Sequence, residues 1–153
     1  MNNIELQKKV RSAVYTLIKE KGVAAPVEVL IKIEVLSKED YENWRFGRVP
    51  YLEKVCKINL GKLSTINREI RAYAKKANLK SSWTDYKKWG VKNGQAPKPK
   101  LRFSKSGDEQ VERQYATHYV NQYIVKQAKE AKERREVTKT SEEQQQKSPV
   151  NPH

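Results

Sequence analysis

An all-α fold is what this sequence predicts: a compact bundle of about six mostly short helices, with a long C-terminal helix and a disordered tail. Three observations predict it. Apolar residues recur at three- and four-residue steps in three separate stretches, the period of one buried helix face. Residues that cap or stop helices flank most of those stretches. The one run that alternates like a strand, Val27–Leu36, has no second strand signal within hairpin distance, and an isolated strand leaves its backbone groups unpaired.

The first helix carries Leu6, Val10, Ala13, Val14, Leu17 and Ile18 on one face, with Asn2 or Asn3 as its cap and Gly22 as its left-handed stop. Pro26 suits the first turn of a second helix over the Val27–Leu36 run. Ser37 through Asp40 reads as a capping box, opening a short helix through Tyr41 and Trp44 to Gly47. Pro50 opens the next, with Tyr51, Leu52, Val55 and Cys56 turned inward. Asn59 caps a longer helix whose buried stripe is Leu63, Ile66, Ile70, Tyr73, Ala74 and Ala77, and whose other face shows Lys62, Arg68, Arg71, Lys75 and Lys76.

Ser81 or Ser82 then caps a short helix carrying Trp83, Tyr86 and Trp89, stopped at Gly90. Lys92–Lys100 has no periodicity, two prolines and a glycine, and reads as an exposed loop; Leu101–Phe103 is too short for a strand. Ser106 with Glu109 caps the last long helix, on which Val111, Tyr115, Tyr119 and Tyr123 form one stripe. The domain limits follow: a helical domain over 1–125, a projecting or fraying helix end over 126–136, and a disordered tail over 137–153.

The totals narrow the function classes. Of 153 residues, 37% are apolar and 33% charged, so the polar surface is large for the core available. Cys56 is the only cysteine, which excludes an internal disulfide. The start of the chain lacks an apolar run of signal-peptide length, and Val23–Leu36 is too interrupted by charge to span a membrane. A cytoplasmic location is the expectation, with no membrane partner. The net charge is +14, and residues 37–107, with 18 Lys and Arg against 6 Asp and Glu, carry +12 of it. That segment also holds all three tryptophans and both phenylalanines. A field with a direction points to a polyanion, and nucleic acid is the commonest one.

Three blocks carry a resemblance: Leu36–Glu53 (LSKEDYENWRFGRVPYLE), Ser82–Gly90 (SWTDYKKWG) and Leu101–Gly107 (LRFSKSG). Over residues 25–120 the chain resembles a group of small uncharacterised bacterial proteins. The resemblance implies a bacterial cytoplasmic origin and brings no activity, cofactor or functional residue with it.

Trp44, Arg45, Phe46 and Arg48 set two aromatics beside two guanidiniums, an arrangement that stacks on unpaired bases while holding phosphates. Against this, Trp44 and Phe46 also fit the core, with the arginines paired to Glu42 or Glu53. The stretch Trp83, Tyr86, Lys87, Lys88, Trp89 and the basic loop after it form the better binding candidate. Lys92, Lys98, Lys100, Arg102 and Lys105 have no acidic residue among them, and Phe103 lies within the set. A solvated linker with Trp83 and Trp89 buried under a neighbouring helix remains the alternative.

A helix-turn-helix fits only loosely. Val35 and Leu36 crowd the turn at Ser37, and Glu42 and Glu53 take places normally apolar about Gly47, so an ordinary helical hairpin is the reading. His118 and His153 are the only histidines and Cys56 has no cysteine partner, which leaves no metal-ligand spacing. His118 reads as a packed or surface histidine. No glycine-rich phosphate loop is present, and Asp40 and Glu42 do not share a helix face. Neither a cofactor nor a catalytic constellation is implied.

The reading is a non-catalytic nucleic-acid-binding protein that holds the phosphate backbone of DNA or RNA. Lys87, Lys88, Lys98, Lys100, Arg102 and Lys105 would contact phosphates, Arg45, Arg48, Arg68, Arg71, Lys75 and Lys76 would form a second patch, and Trp89 and Phe103 would stack. The alternative is an interaction or adaptor protein that binds an acidic protein partner or self-associates through its C-terminal helix, motivated by the tyrosine-rich stripe.

Overall fold

The structure, a computed structural model, describes residues 1–91 and 99–147. It is mostly helical, with six α-helices and a small antiparallel sheet among the described residues: α1 (Asn3–Lys21), β1 (Val23–Ala24), α2 (Pro26–Lys32), α3 (Lys38–Arg45), a 3-10 turn (Leu52–Val55), α4 (Leu60–Lys76), β2 (Lys80–Trp83), α5 (Glu109–Ala116), β3 (Thr117–Val120) and α6 (Gln122–Lys147).

The N-terminal half follows its sequence signals. In α1 the Asn2 side chain accepts from the Glu5 N–H, and Gly22, at φ 75°, donates back to the Ile18 carbonyl. All six expected apolar residues of α1 are buried. A Cβ at Gly22 would lie 2.8 Å from Val125 Cγ2, so glycine serves both the left-handed stop and the close passage of α6. Pro26 occupies the first turn of α2, which buries Val27, Val29 and Leu30. The Ser37 hydroxyl accepts from the Asp40 N–H at the head of α3, and Asn59 caps α4 through the Lys62 N–H. Along α4, Leu63, Ile66, Asn67, Ile70 and Ala74 are buried, and the helix packs against α1.

The expectation of a strictly all-α fold is corrected at three places. Lys80–Trp83, expected as a helix start, is strand β2, and Thr117–Val120, expected inside the last helix, is β3. β3 lies at the centre of a three-stranded sheet, with Val23 and Lys80 both opposite Val120 and Trp83 opposite Thr117. The pairing segments lie far apart in the chain, so neither has a strand signal within hairpin reach. The third place is the Pro50 helix, which shrinks to the single 3-10 turn. Helix α5, the expected start of the last helix, is capped not by Ser106 but by Asp108, whose carboxylate accepts from the Gln110 and Val111 N–H groups. Helix α6 runs on past Val137 to Lys147, where the Glu, Gln and Lys of 142–147 are good helix formers. Residues 148–153 lie outside the described residues.

The core has an aliphatic half between α1, α2 and α4 and an aromatic half built on Trp44, Tyr86, Phe103 and Tyr115. The extended segment Leu101–Ser104 threads through the aromatic half. Leu101 N–H donates to Tyr86, Leu52 N–H to Arg102 and Glu53 N–H to Phe103, all carbonyl oxygens. Cys56 lies beside this half, half-buried. Burial first, then the charges of Glu53 and Asp40, push its thiol up to about 12. The native protein should therefore resist thiol-specific labelling at pH 8 and react fully once denatured. Rapid labelling of the folded chain would contradict this packing.

Candidate nucleic-acid interface

Two turns that the sequence separates meet at the surface. Helix α3 ends at Arg45, and Gly47, at φ 75°, reverses the chain. A Cβ at Gly47 would meet only the flexible end of the Lys88 side chain, 2.8 Å from Cε, so the left-handed turn is what calls for glycine here. That second segment is extended. Lys87 pairs across to Lys100, Lys88 N–H donates to the Pro99 carbonyl, and Trp89 N–H donates to the Arg45 carbonyl at 2.7 Å. Alternation then turns Tyr86 into the core and Lys87 outward.

Aromatic rings and cations alternate across this junction. The Arg45 guanidinium lies 5.0 Å from the Tyr86 ring centre and 4.7 Å from that of Trp89. Its Nε is buried with no hydrogen-bond partner among the described residues, so the two rings are what hold it. Trp89 meets Tyr41 and Phe46 edge-on at 5.8 and 5.5 Å, and the Arg48 guanidinium lies 4.9 Å from the Phe46 ring centre. Arg48 also donates to Asn43 Oδ1. The outer members stay open to solvent: Trp89 is 37% and Phe46 39% exposed. Among the described residues no carboxylate pairs with Arg48, Lys87 or Lys88. Arg45 and Arg48 are thus not paired to Glu42 or Glu53, while Trp44 is fully buried and donates its indole N–H to the Arg102 carbonyl.

Other expected site residues are elsewhere. Phe103, expected as a stacking group, is a correction. It is 1% exposed, stacked on Tyr115 at 5.5 Å, because in the extended segment Leu101 and Phe103 turn inward on either side of the exposed Arg102. Arg102 is exposed, but its guanidinium donates to the Ser104 and Lys105 carbonyls and closes its own loop. Lys100 is paired with Asp85 at 3.2 Å, and Lys105 is exposed with its N–H on Glu53 Oε1. Lys98 lies outside the described residues, as does Lys92. Arg68, Arg71, Lys75 and Lys76 are all exposed on α4, opposite the stripe that packs on α1.

The tyrosine stripe expected on the last helix does not exist as one face. Tyr115 is buried on α5, Tyr119 is buried on β3, and Tyr123 is exposed on α6. Sequence reasoning also missed the carboxylates that hold the basic loop. Glu112 accepts from the Phe103 N–H, the Ser104 N–H and the Ser104 hydroxyl, and Glu53 accepts from the Lys105 N–H and the Tyr115 hydroxyl. No helical or strand spacing announces those pairs: Glu112 reaches back eight or nine residues, and Glu53 reaches forward by 52 and 62.

His118 shares a hydrogen bond with the Tyr86 hydroxyl at 3.1 Å. Burial lowers its pKa below the ordinary 6.5, against a smaller opposing pull from Glu28. The unfolded chain therefore takes a proton first as pH falls, so the stability present above about pH 6.5 should decline below it. Melting temperature measured from pH 7.5 to 5 should show that decline, and His118→Gln should flatten it. An equal decline in the variant would assign the effect to other groups.

Among the described residues no helix is long and apolar enough to cross a membrane, and no group of three or more His, Cys, Asp or Glu is placed to hold a metal. Comparison with protein-family models, curated proteins and solved structures matches none of them to this chain.

Proposed function

We propose that this chain is a nucleic-acid-binding protein that acts by binding rather than catalysis, through the ledge formed by Arg48, Phe46, Lys87, Lys88 and Trp89. The observation that carries the reading is the convergence of two basic, aromatic-containing segments, far apart in sequence, on one solvent-facing surface. Lysines and arginines without carboxylate partners are available to phosphates, and half-exposed rings beside them suit base stacking. Arg45 then serves to hold Trp89 in place. The exposed cations of α4 (Arg68, Arg71, Lys75 and Lys76) provide a second phosphate-binding surface. The adaptor reading loses its motive, since two of its four stripe residues are packed inside.

The test is a salt titration of binding to a fluorescent oligonucleotide. Affinity should fall by about 0.9 log unit per log unit of salt for each phosphate contact on duplex DNA, and by about 0.7 on a single strand. The triple variant Arg48→Ser, Lys87→Ser, Lys88→Ser should melt like the parent, bind more weakly, and lose about 2 units of slope. Absence of binding even at low salt would refute the proposal.

A further inference from the structure

Beside the ledge lies a cleft of about 230 Å³, whose floor is the buried Phe103 and whose walls are Trp83, Asp85, Lys100, Glu109, Glu112 and Arg113. Trp83 is 53% exposed, and the Arg113 guanidinium lies 5.5 Å from its ring centre, so the two make one flat wall. A tryptophan this exposed on strand β2 contributes little to the core, and its placement is unexplained by folding alone.

The carboxylates differ in their commitments. Glu112 is fully engaged by Phe103 and Ser104. Asp85 is not. Its Oδ1 is buried with no hydrogen-bond partner among the described residues, and Lys100 Nζ, 3.2 Å away, pairs with it by charge but without hydrogen-bond geometry. Three carboxylates against two cations make the cleft unsuited to phosphate. They suit a flat group that donates hydrogen bonds.

We infer that this cleft receives one unpaired, amino-bearing nucleobase (adenine, cytosine or guanine, but not thymine or uracil) of a single strand whose phosphates run along the ledge. The inference rests on the nucleic-acid reading and deepens it from polyanion to single strand. The base stacks on the Trp83–Arg113 wall, since aromatic rings and guanidinium planes both stack on bases, and its exocyclic amino group donates to the solvent-facing Oδ2 of Asp85, Oδ1 being closed off. Continuity between the two places is structural, because the Lys87–Lys100 pair joins the ledge to the cleft wall. Base-paired nucleic acid keeps its bases stacked inside the helix and cannot use the cleft.

The experiment measures binding of the full chain to labelled 12-mers of dA, dC and dT and to a 12-base-pair duplex, at several salt concentrations. The expected order is dA and dC above dT and duplex. Trp83→Ala should weaken dA binding by about five- to a hundredfold, the range of one lost stacking contact. Asp85→Ala should abolish the preference, so that dA, dC and dT bind the variant alike, with any gain from the released Lys100 shared by all three. Trp83→Ala should melt like the parent, Trp83 being exposed, and for Asp85→Ala the readout is the ratio of dA to dT affinity, which a change in stability does not move. Binding that is steeply salt-dependent yet equal for all oligonucleotides, and equal in both variants, overturns the cleft while the ledge stands. No binding to any oligonucleotide at low salt overturns both.

Discussion

Trp44→Ala is expected to lower unfolding stability by about 3–5 kcal/mol, the range for removing a buried large aromatic. Trp44 is fully buried and touches three other rings: Tyr41 at 6.1 Å, Tyr86 at 5.6 Å and Phe103 at 5.1 Å between centres. Truncation removes those contacts, leaves a cavity, and takes from the Arg102 carbonyl the indole N–H at 2.8 Å, leaving it only the longer bond from the Leu52 N–H. Trp44→Phe separates the two contributions, since it keeps most of the packing and loses the bond, a cost of about 1 kcal/mol for the bond itself plus a smaller void. Chemical denaturation measures both. Because the bond ties α3 to the segment 58 residues later, the alanine variant should also loosen the Arg45–Trp89 contact. A loss below about 1 kcal/mol would mean that Trp44 is not the keystone its burial implies.

Glu112→Ala should cost about as much by a different route, roughly 3–5 kcal/mol, by leaving buried donors without an acceptor. Its Oε1 accepts from the Phe103 N–H at 2.9 Å, and its Oε2 from the Ser104 N–H at 2.7 Å and the Ser104 hydroxyl at 2.6 Å. Bonds to a charged acceptor contribute about 1.5–3 kcal/mol each, but three on one carboxylate do not add. Glu112→Gln retains one acceptor oxygen and turns the other into a donor facing donors, so it should recover only part of the loss. Hydrogen exchange at Phe103 and Ser104 gives a local readout: both amides should be well protected in the parent and fast in the variant. Unchanged protection would show that the loop is held by its arginine and backbone bonds instead.

The helices that start with a cap and run with a clean period were legible because both signals are local. Asn2, Ser37 and Asn59 sit where they cap; the stripe of α1 is buried as its spacing implies, and so is that of α4 except for the half-buried Tyr73 and for Ala77, which is exposed past the helix end. The sheet was not legible, because each strand is short and its partner distant. Tyr115, Tyr119 and Tyr123 keep a four-residue step that a helix and a helix–strand–helix path satisfy equally well until Thr117 turns extended, at φ −78° and ψ 128°. The site was legible in part. Composition marked Arg48, Lys87, Lys88 and Trp89, while the inward turn of Phe103 and the self-closure of Arg102 depend on alternation and carbonyl positions that only the fold defines.

The central strand also sets the order in which the chain can become a protein. Thr117–Val120 is the shared partner of β1 and β2, with Val23 and Lys80 both opposite Val120. Until that strand has been synthesised, two ribbons separated by most of the domain have nothing to pair with. Such long-range closure slows folding, because the entropy of the intervening chain is lost before any contact compensates. Nascent chains ending before Thr117 should remain open to protease at β1 and β2, whatever their helices do, and compaction should come in one late step as β3 emerges. The two turns that form the ledge would reach their final spacing only then.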